Sequence, residues 1–156
     1  MFRIGQSFDI HKLEPGNTFK LGLVMISGYK VIAHSDGDVL IHAITESILG
    51  ALALGSLGEI FPENEENKNR DSQDFLLYAK NKLSEHNFKI SNLDTMIFLE
   101  SPKICDFVKE MQERIAAVLE IEIQQISIKP TTFEQLDSIG KSKAIAASSV
   151  VLISEA

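Results

Sequence analysis

The sequence predicts a layered α+β domain: a small mixed β-sheet with helices packed on one face. Three observations predict it. Apolar residues first fall on alternate positions, at Phe2, Ile4, Phe8 and Ile10, which is the period of a strand. Farther on they recur at three-to-four spacing, the period of a helix. The segments follow one another as strands, helix, helix, strand, helix, strand, strand. The second face of such a sheet is left bare, and a bare apolar face in a chain of 156 residues predicts an oligomer interface.

The alternation at Phe2, Ile4, Phe8 and Ile10 marks the first strand, with a gap in the apolar pattern at Gln6. Pro15-Gly16-Asn17 predicts a turn, and residues 19–26 a second extended pair of segments. Ser35-Asp36-Gly37-Asp38 supplies capping side chains ahead of Val39-Leu40-Ile41, so a helix is expected over about residues 37–54. Residues 63–70, rich in Glu, Asn and Lys, predict a solvated, mobile loop. Asp71-Ser72-Gln73-Asp74 caps a second helix reaching about His86, with Phe75, Leu76, Ala79 and Leu83 on one face. Met96-Ile97-Phe98-Leu99 marks a strand. Pro102 fits the first turn of a third helix, whose Ile104, Val108, Met111, Ile115 and Leu119 form a stripe. Residues 125–131 and 144–153 are the closing strands. No repeat or low-complexity linker divides the chain, so residues 1–156 read as a single domain.

A net charge of −7 argues against nucleic acid as the partner. It also means that an anionic ligand must be held by local devices, such as metal ions, helix N-termini and a few lysines. Cys105 is the one cysteine, so no intrachain disulfide forms; it reads as a small apolar filler in a reducing compartment. The start, MFRIGQSFDIHK, lacks the apolar run of a signal peptide. The longest apolar helical stretch, residues 41–57, is too polar and too short for a bilayer. A cytoplasmic protein is expected, or one in an organelle matrix after loss of a transit peptide.

Three of the four histidines lie in two short stretches, Asp9-Ile10-His11 and His34-Ser35-Asp36-Gly37-Asp38 with His42. Asp9 and His11, two apart on a strand, point to the same side, while Phe8 and Ile10 point to the other. With His42 from the following helix they can converge on one zinc-like ion, leaving a coordination position free for substrate. Each alone reads more simply as a surface pair or a satisfied core histidine; the three together favour the metal. The helix start beside His34 and Ser35 predicts an anion site, although Ser35 or Asp36 also reads as a plain cap. Thr131, Thr132 and Glu134 at a strand end suit a phosphate and a hard cation such as Mg²⁺, but threonines are ordinary in strands. Gly140-Lys141-Ser142-Lys143 is a small basic turn, by default solvated.

Taken together, Gly5-x-x-Phe8-Asp9-Ile10-His11, Ala33-His34-Ser35-Asp36-Gly37-Asp38-Val39-x-x-His42-Ala43, Leu49-Gly50-Ala51-x-Ala53-Leu54-Gly55, Phe61-Pro62, Ser101-Pro102-Lys103 and Lys129-x-Thr131-Thr132-x-Glu134 resemble the 2-C-methyl-D-erythritol 2,4-cyclodiphosphate synthase family. The resemblance covers nearly the whole chain in the family's order. It implies a lyase of the non-mevalonate isoprenoid pathway that takes 4-diphosphocytidyl-2-C-methyl-D-erythritol 2-phosphate. The 2-phosphate oxygen attacks the β-phosphorus, CMP leaves and a cyclic diphosphate forms. Asp9, His11 and His42 match zinc ligands. His34 and Thr132 match residues that stabilise the transition state, and Glu134 a ligand of a second ion, Mg²⁺ or Mn²⁺, on the substrate phosphates. The implied substrate contacts further include Ser35, Ser56, Leu57, Gly58, Phe61, Glu63, Ser101, Pro102, Lys103, Ile104, Cys105, Thr131 and Lys141. The family is homotrimeric, with each site shared between neighbouring subunits.

The chain departs from the family pattern at several places. Gln6 and Ser7 stand where His and Gly are usual, and Ser56 where an aspartate contacts the ribose, so weaker ribose binding is expected. Glu63 replaces Asp, Ile104 and Cys105 replace a larger apolar pair, and Asp137-Ser138 and Lys141 replace Gly-Phe and Arg. In the family that last region, with Phe8, lines a cavity on the trimer axis that accepts an isoprenoid diphosphate; lysine keeps the charge of arginine but not its two-pronged geometry. Two other readings remain open from the residues alone: a binding protein that has lost turnover, and a metal-dependent phosphohydrolase. Whether Glu46 supports the metal site or faces solvent is also open.

Overall fold

A computed structural model describes residues 1–156. Strand β1 (Phe2–Leu21) and β2 (Val24–Ile32) form a hairpin, followed by helix α1 (Val39–Leu52), the single turn α2 (Leu57–Ile60) and helix α3 (Ser72–Glu85). Strand β3 (Phe88–Phe98), helix α4 (Val108–Leu119), strand β4 (Ile126–Thr131), the short turn α5 (Asp137–Gly140) and strand β5 (Ala144–Glu155) complete the chain. The five strands form one sheet in the order β2-β1-β5-β3-β4, antiparallel except for the parallel pair β3/β4. The helices occupy one face, as the sequence predicts.

Helix α1 lies directly on the sheet with α3 behind it, so it is apolar almost all round. Leu40, Ile41, Ile44, Ile48 and Leu49 are fully buried. Each is worth about 1.5–3 kcal/mol on the usual burial scale. Close approach to β1 requires a glycine: a Cβ on Gly5 would stand 1.9 Å from the Ser47 carbonyl oxygen. Two residues on, the Ser7 hydroxyl donates to the Ala43 carbonyl, tying the same strand to the same helix.

The opposite face is bare. Phe2, Ile4, Phe8 and Ile10 are 71, 69, 57 and 50 % exposed, while Asp9 and His11 between and beside them turn inward. Val150 of β5, opposite Gln6, extends the apolar patch. On the same face the Phe8 and Phe98 rings lie 6.0 Å apart, and Phe98 packs on Phe133 at 5.6 Å.

Four sequence expectations are corrected. The hairpin turns at Gly22-Leu23, and Pro15-Gly16-Asn17 is a bulge within β1, where the register shifts between Pro15 and Thr18. Gly22 and Leu23 both have positive φ, 57° and 65°, as a two-residue hairpin of this hand requires. The third helix starts at Val108; Pro102 precedes it, in a cis peptide bond with Ser101. Residues 63–70 are solvated as expected, six of the eight being exposed, but tied down and not loose: Asn67 is buried, its amide donates to the Pro62 carbonyl, and Arg70 donates to Asn67 Oδ1. Cys105 is exposed and fills nothing.

Candidate active site

The β1 pleat turns Asp9 and His11 toward the helical layer, and the second turn of α1 brings His42 to meet them. His11 Nε2 lies 3.0 Å from His42 Nδ1; Asp9 Oδ2 lies 3.1 Å from His42 Nδ1 and 3.2 Å from His11 Nε2. These spacings suit a shared cation. A tetrahedral ion with bonds of about 2.0–2.1 Å has ligand–ligand edges of about 3.3 Å. A carboxylate with two imidazoles is also a donor set for a divalent metal. Burial raises the Asp9 carboxyl, but its bonds with His11 and His42 outweigh that and hold it well below the usual carboxylate range. The other Asp9 oxygen accepts the Ile10 N–H at 2.9 Å, which fixes the carboxylate plane.

A cavity of about 290 Å³ opens beside this trio, lined by His11, Ile32, Ala33, His34, Ser35, His42, Leu57, Gly58, Phe61, Glu63, Asn67 and Phe75. Six residues expected at the substrate thus share one recess with two of the metal ligands: His34, Ser35, Leu57, Gly58, Phe61 and Glu63. His34 Nε2 donates to the Asn64 carbonyl at 2.8 Å, so the polar 63–70 tract holds the ring and forms one wall. Phe61 and Phe75 form an apolar wall, ring centroids 4.7 Å apart, with Arg70 over the Phe61 ring at 4.9 Å. Ser56 stands just outside, its N–H donating to Glu59 at the start of α2. Glu46 reaches the same loop, accepting the Leu57 N–H at 3.4 Å, and so braces the loop rather than the metal trio.

The expected anion site at the start of α1 is not available. The helix begins at Val39, and Asp38 accepts the Ile41 N–H at 3.2 Å together with the N–H groups of Gly22 and Leu23. Asp38, Val39, Leu40 and Ile41 are all 0 % exposed. A carboxylate of this chain has taken the place a phosphate would occupy, and burial pushes that carboxyl above its ordinary range. An anion in the cavity must therefore rely on the metal trio and the residue 33–35 loop.

The remaining expected contacts lie elsewhere. Ser101, Pro102, Lys103 and Cys105 follow β3, Thr131 ends β4, and Thr132 and Glu134 follow it. None of them lines the cavity. Between β1 and β4 stand β5 and β3, and three strand spacings amount to about 14 Å. Thr132 Oγ1 donates to Glu134 Oε1 at 3.3 Å, and the adjoining Phe133 belongs to the aromatic row on the bare sheet face. Ile104 is buried in the main core, so its side chain is closed to a ligand. Lys141 lines a separate surface recess with Lys12 and Lys143.

The sequence reading missed Phe75 and Asn67 as cavity walls and Ser72 as a contact of His42. Phe75 sits on the helix face that read as core, and Ser72 read as a cap. A supporting ion pair was missed as well: Lys20 Nζ meets Asp36 Oδ2 at 3.1 Å and Asp71 Oδ1 at 2.8 Å. Burial raises the Asp36 carboxyl, but bonds from Ser72, Lys20 and the Asp38 N–H outweigh it and leave it below its usual range. A carboxylate lowered on folding stabilises fully above about pH 4 and loses that contribution as the pH falls through its folded value. Asp36→Asn should therefore cost about 1–3 kcal/mol at pH 7 and clearly less at pH 3. Urea unfolding of the metal-free protein reads the difference, and equal losses at the two pH values would contradict it.

Comparison with known proteins agrees with this geometry. Residues 2–154 match the model of the YgbB family. A protein of Xanthomonas oryzae pv. oryzae named 2-C-methyl-D-erythritol 2,4-cyclodiphosphate synthase is 43% identical over 154 residues, spanning 97% of this chain and 94% of its own. One of the same name from Francisella philomiragia is 44% identical over 155 residues, spanning 97% and 98%. Among solved structures, the CDP complex of IspF from Plasmodium falciparum superposes with a TM-score of 0.90 at 39% identity, covering 99% of this chain and 96% of that one. With a fold, a metal-ready trio and whole-length relatives in agreement, the chain belongs to the YgbB family, alongside the 2-C-methyl-D-erythritol 2,4-cyclodiphosphate synthases.

Proposed function

We propose that this chain is a cyclodiphosphate synthase. It converts 4-diphosphocytidyl-2-C-methyl-D-erythritol 2-phosphate to 2-C-methyl-D-erythritol 2,4-cyclodiphosphate and releases CMP. The observation that carries the reading is the Asp9–His11–His42 trio beside a recess, in a chain whose relatives bear that name and whose structural neighbour holds CDP.

Asp9, His11 and His42 would hold Zn²⁺, and Glu134 a Mg²⁺ or Mn²⁺; ions held there would supply neutralisation of the charge that develops on a transferring phosphoryl group. The nucleophile is already an anionic phosphate oxygen, so no general base is required. The residues instead position the reacting groups, and in an intramolecular attack positioning supplies much of the acceleration. His34, fixed by Asn64, and Ser35 face the recess and meet the phosphate from one side. Thr132 brings a hydroxyl donor from the other side, and the segment Ser101-Pro102-Lys103 with Cys105 receives the cytidine.

These two halves belong to different copies of the chain. Within one copy they are separated by two strands, yet the Thr132–Glu134 segment borders the bare apolar face. A homotrimer that closes on that face would bury it and set the β4 end of one subunit at the recess of its neighbour. No helix is long and apolar enough to cross a membrane.

Purified protein with substrate and Mg²⁺ should release CMP with a cyclic product. Tight substrate binding without CMP would make it a binding protein, and a linear hydrolysis product would make it a phosphohydrolase.

A further inference from the structure

The second ring nitrogen of His42 meets Ser35 at the edge of the recess and, on its other side, a hydroxyl–carboxylate–ammonium chain that begins at the buried Ser72. His42 Nε2 lies 3.1 Å from Ser72 Oγ and 3.1 Å from Ser35 Oγ. Ser72 is fully buried, and its hydroxyl makes a short bond to Asp36 Oδ1. Asp36 Oδ2 in turn accepts the Ser72 N–H at 2.9 Å and Lys20 Nζ at 3.1 Å, and Lys20 continues to Asp71.

Proton counting orients the whole chain. An ionised carboxylate only accepts, so the Ser72 hydroxyl hydrogen goes to Asp36. What Ser72 then offers His42 is a lone pair, and the Nε2 opposite must carry the ring proton. A neutral imidazole has one N–H, so Nδ1 is left bare. Nδ1 is the atom that faces Asp9 and His11 at 3.1 and 3.0 Å. Ser35, half-exposed at the recess, competes for the same Nε2 proton but has no carboxylate behind it.

We infer that Ser72, held by Asp36 and Lys20, is a positioning residue that fixes the tautomer and ring orientation of His42 so that Nδ1 is presented to a divalent cation. The inference rests on reading Asp9, His11 and His42 as metal ligands. Hydrogen-bond partners behind a ligating histidine typically carry 10–100-fold in metal affinity, because they orient the ring and raise its basicity. The device also gives a role to Lys20, on β1 and remote from the recess: together with the Ser72 hydroxyl and N–H it binds the Asp36 carboxylate, and an ionised Asp36 keeps the Ser72 hydroxyl turned away from His42.

Zinc titration of the purified protein, with a competing chelator, tests it on wild type, Ser72→Ala, Ser35→Ala and His42→Ala. Ser72→Ala keeps the backbone N–H to Asp36 and the Asp71 cap, so its metal-free melting temperature should stay near wild type. Its zinc dissociation constant should rise about 10–100-fold, and that of Ser35→Ala should rise less. In zinc-loaded wild type, with ¹⁵N-labelled histidine, His42 should show a slowly exchanging proton on Nε2 that broadens or vanishes in Ser72→Ala. If His42→Ala loses zinc but Ser72→Ala binds it as wild type does, the positioning role is overturned while the ligand assignment stands. If His42→Ala binds zinc normally, the ligand assignment itself falls and the inference with it. Should Ser72→Ala fail to fold, the spectrum of metal-free wild type decides, because a ring already ligated through Nδ1 carries its proton on Nε2 whatever stands behind it: a bare Nδ1 with the proton on Nε2 upholds the inference, and any other protonation of His42 overturns it.

Discussion

His42→Ala should lose zinc and CMP release together while the chain stays folded. The ring sits where α1 meets the recess, and its removal leaves only Asp9 and His11, a two-ligand set on one strand. A bound divalent ion supplies several kcal/mol of charge stabilisation in phosphoryl transfer. At about 1.4 kcal/mol per decade, a loss of about 4 kcal/mol is a thousandfold in rate. The fold should survive because the apolar body of α1, with Ile41, Ile44, Ile48 and Leu49, is untouched. Metal content by elemental analysis, CMP release and far-ultraviolet circular dichroism read the three expectations separately. Wild-type turnover in this variant would remove the basis of the proposed function.

Ile4→Glu should break the proposed trimer and, with it, activity, while sparing the candidate metal site. In the isolated chain Ile4 is 69 % exposed, so a carboxylate there costs the monomer little, within about 0.5 kcal/mol. In a closed assembly the same carboxylate is taken from water without a partner, at several kcal/mol per copy. The variant should therefore sediment as a monomer and bind zinc as wild type does, since Asp9, His11 and His42 come from one chain. Its rate should fall at least about a hundredfold, the scale of losing one preorganised transition-state donor, the role proposed for Thr132 of a neighbouring copy. A monomer with full activity would show that a single chain carries a complete site; an unchanged trimer would place the interface elsewhere.

The metal trio was legible in the sequence because strand parity is strict. Residues two apart share a side, so Asp9 and His11 had to diverge from Phe8 and Ile10. The capping run at residues 35–38 gave the start of α1 to within two positions, and with it the turn that carries His42. The bare face followed from the same parity. What the sequence did not show was settled at a distance. Leu21-Gly22-Leu23-Val24 lacks the Asn-Gly signature of a hairpin, and a leucine at positive φ is a poor local choice. The turn forms because Asp38, fifteen residues later, accepts both of its N–H groups, at 2.9 and 2.7 Å. Pro15-Gly16-Asn17 carried the stronger local signal yet is absorbed as a bulge. The separation of Thr132 and Glu134 from the trio depends on strand order and not on chain order, so no local pattern shows it; only the family resemblance, with its sites shared between subunits, implied it. The 63–70 tract is solvated as its composition says, and what composition did not show is the anchor: Asn67 and Arg70 spend their polarity on each other and on Pro62.

Strand β1 alternates two responsibilities along a single thread. Odd positions 9 and 11 form the candidate metal site, while even positions 2, 4, 8 and 10 form the bare apolar face. One inserted or deleted residue between Gly5 and Asp9 would exchange them wholesale, turning the carboxylate outward and a phenyl ring toward the cation. Variation within this stretch must therefore proceed by replacement, never by change of length, and drift in the docking surface is free only so long as the count is kept.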